Sequence, residues 1–92
     1  MSYEMLDPIL ERWAREHNLH VSTIYKDEEV RSIGVVSPHG KSFQLWLDEP
    51  EGNGRTVVHV WDYRKRRCDF AAGMSDFESQ LERGYSEIKS WF

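Results

Sequence analysis

Lys41-Ser42-Phe43-Gln44-Leu45-Trp46-Leu47-Asp48 alternates side chains with a period of two: Phe43, Leu45 and Leu47 on one side, Gln44, Trp46 and Asp48 on the other. Successive side chains of a strand point to opposite faces, so this stretch is a half-buried β-strand. The Phe43 side is expected to face a core and the Trp46 side something different.

Working outward, Glu49-Pro50-Glu51-Gly52-Asn53-Gly54 is a breaker cluster, and Arg55 to Tyr63 reads as the next strand. Arg64-Lys65-Arg66-Arg67 is then expected to be a hairpin tip returning through Cys68 to Ala72. Upstream, Pro38-His39-Gly40 is a turn, and β-branched residues favour a strand from Val30 to Ser37, with Gly34 as a bulge or point of close approach. Before it, Leu19 to Tyr25 also reads as a strand, closed by the charged turn Lys26-Asp27-Glu28-Glu29. Five consecutive strands joined by short turns predict an antiparallel meander.

Both flanks change to helical periodicity. Ile9, Leu10, Trp13, Ala14 and His17 share one face of a helix from Asp7 to about His17, with Asp7 as its cap, Pro8 in its first turn, Met5 and Leu6 beneath its start and Asn18 as its stop. Phe77, Leu81, Tyr85, Ile88 and Phe92 form the stripe of a second helix, introduced by the capping-box pattern Ser75-Asp76-Phe77-Glu78. Gly84 lies beside that stripe, where a missing side chain lets another element come close. The expected fold class is α+β, in the order α-β-β-β-β-β-α, as a single domain over residues 1–92.

Composition agrees with one small core. Ninety-two residues leave no room for a second one, and 39% hydrophobic content is too high for a disordered chain. The single cysteine, Cys68, excludes an internal disulfide and favours a reducing, cytoplasmic setting. Met1-Ser2-Tyr3-Glu4-Met5-Leu6-Asp7-Pro8 lacks the basic and apolar regions of an export signal, and no apolar run is long enough to span a membrane. The net charge of −4 disfavours nonspecific attraction to anionic lipid or phosphate backbones.

Site expectations rest on the second face of the sheet. If Val58 and Val60 join Phe43 in the core, then His59, Trp61 and Tyr63 stand with Trp46 on the opposite face. With both helices over the Phe43 side, those rings form an outward patch of the kind that marks interaction sites. With one helix on each face, or with the fourth strand reversed, the same rings are core.

Catalytic and metal patterns are weak. His59 has the chemistry of an acid or base, but no nucleophile or orienting carboxylate can be assigned to it, and Asp62 points to the other face of a regular strand. Cys68 beside Arg66 and Arg67 has a possible thiolate role, set against that of a small packing residue. His17 and His20 lack a second pair of ligands, and Asp48, Glu49 and Glu51 lack calcium-loop spacing, so no metal or cofactor is expected. Enzyme is the weakest of three function classes.

The first is a noncatalytic protein-interaction module, an adaptor or a small inhibitor of the immunity type, that binds another protein or its own copy as a homodimer through Trp46, His59, Trp61 and Tyr63 with Asp48 and Glu49 beside them. The second is nucleic-acid binding by Arg64, Lys65, Arg66 and Arg67 with neighbouring rings. The third is a small enzyme centred on His59.

Overall fold

The computed structural model describes residues 3–92; Met1 and Ser2, the start of the segment read above for an export signal, lie outside the described residues. The chain runs α1 (Asp7–Glu16), β1 (Val21–Tyr25), β2 (Glu28–Val36), β3 (Ser42–Leu47), β4 (Thr56–Trp61), β5 (Arg67–Ala72) and α2 (Phe77–Ser90). The strands form one antiparallel sheet in sequence order, the meander expected from the turn spacing. No helix among the described residues is long and apolar enough to cross a membrane.

Both helices lie on one face. Ile33, Val35, Phe43, Leu45, Leu47, Val58 and Val60 meet Leu6, Leu10, Trp13, Phe77, Leu81 and Ile88 in a single core. Register makes this face continuous, because Ile33, Leu45, Val60 and Cys68 are successive cross-strand partners. Gly84 permits the tight seating of α2: a Cβ there would stand 3.1 Å from Val60 Cγ1 and 3.3 Å from Val58 Cγ1. Leu6 is buried beneath the start of α1, whereas Met5 is exposed.

The end of α1 follows its sequence signal. Asn18 adopts a left-handed φ of 57°, and Leu19 N–H donates to Ala14 O at 2.8 Å while Asn18 N–H donates to Arg15 O at 3.1 Å. These two bonds pair two of the carbonyls in the last turn of the helix.

The helix starts differ from expectation. Asp7 is the first helical residue rather than the cap; Arg31 occupies its carboxylate through Nε at 2.7 Å and Nη2 at 2.9 Å. That bidentate, largely buried pair outcompetes a capping bond to the backbone. The Ser75–Glu78 capping box does not form either. Helix α2 begins at Phe77, the Asp76 carboxylate accepts from Gly73 N–H at 2.7 Å, and Glu78 pairs with Arg12 across the helix–helix contact.

The first hairpin is tighter than its charged turn suggested. Lys26 and Asp27 alone make the reversal, with φ of 50° and 68°, and Glu28 and Glu29 belong to β2. Left-handed φ at both central positions matches the right-handed twist of the flanking strands. The sheet irregularity falls in β1, between Ser22 and Ile24, not at Gly34, which pairs regularly with Gln44 in open surroundings.

Candidate functional site

On the face away from the helices, Ser32, Trp46, His59 and Asp69 form one cross-strand row, and Gly34, Gln44, Trp61 and Arg67 the next. Tyr63 lies past the end of β4, in the hairpin loop at φ 64°, yet its ring still packs on Trp61 with centroids 4.8 Å apart. The strand was expected to carry Tyr63. It ends earlier because the Asp62 carboxylate accepts from the N–H groups of Arg64 (2.8 Å) and Arg66 (3.0 Å) and turns the chain.

These rings wall a groove of about 560 Å³ that continues to Ile24 and Tyr25 on the edge hairpin. Ile24 and Tyr25 are 70% and 62% exposed. Ser32 and Gln44 supply a polar floor, where Gln44 Nε2 donates to Ser32 Oγ at 3.0 Å. Sequence reasoning assigned none of these four residues to a site. The alternation of β3 already put Gln44 beside Trp46, but the contribution of β1 depends on pairing across the sheet.

His59 supports the rings and is only 8% exposed. Trp46 stacks over it at 4.8 Å between centroids and 22° between planes. Its Nδ1 lies 2.6 Å from Asp69 Oδ1 and its Nε2 lies 2.8 Å from Asp48 Oδ1. Both ring nitrogens are thus engaged by carboxylate oxygens from two different elements, and Arg67 Nη2 also lies 3.5 Å from Nδ1. Arg67 adds a bond from Nε to Asp69 at 3.3 Å and places its guanidinium 5.4 Å from the Trp46 centroid. The His59 hydrogen bond, working against burial and aided by Arg67, holds the Asp69 carboxyl below its ordinary value. The arrangement ties β3, β4 and β5 together under Trp46.

Asp69 as the partner of His59 was not anticipated, because the hairpin tip was centred too late. The loop spans Asp62 to Arg66, which brings His59 opposite Asp69 in the ladder. Asp48 reaches the same histidine from the end of β3. Glu49 lies beyond it, outside the aromatic groove, beside a separate hollow with Glu51 and Arg55.

The expected basic tip divides. Arg64, Lys65 and Arg66 stay in the loop, whereas Arg67 begins β5 and turns onto the aromatic face. Cys68 consequently points the other way, toward α2. Burial, with Glu87 and Asp69 nearby, pushes its thiol up rather than down, which opposes the thiolate alternative, and Cys68 packs against the core as a small apolar residue does.

His17 and His20 are not brought together on one ligand position. His17 Nε2 meets Glu82 at 2.6 Å, Trp13 Nε1 donates to the same carboxylate, and His20 is exposed. No group of three or more His, Cys, Asp or Glu side chains among the described residues is placed to hold a metal ion. Compared with models of protein families, with curated proteins and with solved structures, the chain matches none of them.

Proposed function

We propose that this domain is a noncatalytic protein-interaction module whose docking surface is the groove between Trp46, Trp61 and Tyr63 and the edge hairpin. The observation that carries it is the segregation of the sheet faces: both helices pack on the Phe43 side, leaving the rings of Tyr25, Trp46, Trp61 and Tyr63 around an uncovered groove. Aromatic side chains present large, stiff, amphipathic area and dominate the energetics of many protein interfaces. The clamp beneath Trp46 holds part of that surface in shape before binding, which lowers the entropic cost of association.

The partner presents apolar side chains beside basic ones. Asp27 and Glu28 follow the groove residue Tyr25 in the edge hairpin and are exposed, outnumbering Lys26 there, whereas Glu29 is paired with Arg31. Opposite charge on a partner would steer encounter and set orientation.

The test is selection of displayed random peptides against the folded domain, followed by amide-shift mapping of the enriched sequences. Peptides with apolar and basic residues that perturb Trp46, Trp61 and Tyr63 are expected, and Trp61→Ala should weaken them by about 30-fold, as an aromatic hot spot does. Peptides that map onto the helices, or that bind a folded Trp61→Ala variant unchanged, would overturn the assignment. Sedimentation of the unliganded chain separates the other occupant: a dimer abolished by Trp61→Ala puts a second copy in the groove and displaces the heterologous partner.

A further inference from the structure

A second hollow, of about 590 Å³, opens where the β2–β3 turn, the β4–β5 loop and the end of α2 converge. Its walls carry Lys41, Arg64 and Arg66 with the rings of Tyr63 and Trp91. Antiparallel order puts both turns at the same end of the sheet, so Lys41 joins two arginines more than twenty positions away in the chain.

The cations here lack a direct ion-pair partner. Arg12, Arg31 and Arg67 each face a carboxylate. Among the described residues, the side chains of Lys41, Arg64 and Arg66 make no ion pair or hydrogen bond. One acid, Asp62, lies in the wall. Partial desolvation opposes its ionisation, but the backbone N–H groups of Arg64, Arg66 and Lys65, together with the Arg66 charge, hold its carboxyl below the ordinary value. Its carboxylate is thereby occupied in shaping the loop, while the two arginine side chains remain available.

We propose that this hollow binds the phosphate of a nucleotide, free or within a single strand, among Lys41, Arg64 and Arg66, with the base against the rings of Tyr63 and Trp91. Guanidinium groups match phosphate oxygens with paired, charge-assisted hydrogen bonds, and a base stacks on an aromatic face whatever its identity. The volume lies in the range of small-ligand sites. This site is separate from the groove of the proposed interaction module, with Tyr63 the one ring lining both.

The experiment titrates the full chain at low salt with ATP, with a short thymidine oligonucleotide and with inorganic pyrophosphate, reading backbone amide and Trp91 indole shifts. Saturable shifts at Lys41, Arg64, Arg66 and Trp91 are expected with both base-bearing probes, weakening as salt rises. The tighter of those two probes identifies the source of the phosphate. Lys41→Ala and Arg66→Ala should each weaken binding about tenfold, the loss expected for one charge-assisted bond. Lys65→Ala, on the same loop but outside the hollow, should change it less than about twofold under the same criterion. All three positions are exposed, and an unchanged spectrum away from the site verifies the fold. The proposal is overturned by absence of saturable binding, by equal losses at Lys65 and Lys41, or by pyrophosphate binding as tightly as the base-bearing probes.

Discussion

His59 shows how much one buried polar residue organises. Its two carboxylate partners come from the end of β3 and the middle of β5, and its ring carries Trp46. Asp69 has a pKa lowered in the fold, so its contribution to stability is present above the ordinary value of 3.8 and is lost as pH falls through the lowered one. Asp69→Asn is therefore expected to flatten the dependence of the denaturation midpoint on pH below 3.8. Because the Asp69 side chain is half exposed, the loss at neutral pH should stay below about 1 kcal/mol. Denaturant melts across the acid range check this, and an acid limb of unchanged slope would remove Asp69 from the clamp's energetics. Glu82, lowered chiefly by its bond from Trp13 and aided by His17 against opposing burial, should leave a residual slope in the variant.

Among the elements, the first hairpin is the one whose local sequence agrees least with its geometry. Lys26 and Asp27 both hold left-handed φ, where a Cβ is crowded by the neighbouring carbonyl. Glycine accepts that conformation without the steric penalty and is preferred in such two-residue turns. Asp27→Gly is expected to raise stability by about 0.5–1 kcal/mol, measured as a shift in denaturation midpoint with unchanged slope. A lower midpoint would mean that Asp27 makes a compensating interaction. The charge cluster at 26–29 signalled a turn, but its length was hidden: Glu28 and Glu29 look like loop residues until Tyr25 and Ile24 are seen paired with them. Similarly, Ser75 and Glu78 carry the right spacing for a capping box, yet Arg12 from the other helix takes Glu78. Local capping signals lose wherever a distant partner offers a stronger contact.

For the whole molecule, the decisive feature is a two-layer arrangement with a closely seated helix. Gly84→Leu would drive a branched side chain into Val58, Val60 and Leu45, all three buried in the core with no free space to move into. The expected cost is at least about 1–3 kcal/mol, the usual penalty for overpacking a filled core. Gly34→Ala should stay within about 0.5 kcal/mol, because a Cβ there meets nothing within 4 Å. Comparing the two thermal midpoints checks the difference, and equal effects would contradict the layer order.

The sequence by itself determined the element types, their order and the apolar faces of both helices and of β3, because periods of two and 3.6 are written in neighbouring residues, but it left open whether Val58 and Val60 or His59 and Trp61 face the core. It also placed Trp46 opposite Phe43 and marked Gly84 as a place of close approach. Only the tertiary structure decided that both helices share the Phe43 side, since either amphipathic stripe is satisfied by any apolar surface. The partners of His59, the pairing of Asp7 with Arg31 and the meeting of Lys41 with Arg64 and Arg66 were decided there as well. They depend on strand register, loop length and three-dimensional convergence, where a displacement of one residue changes which side chains meet.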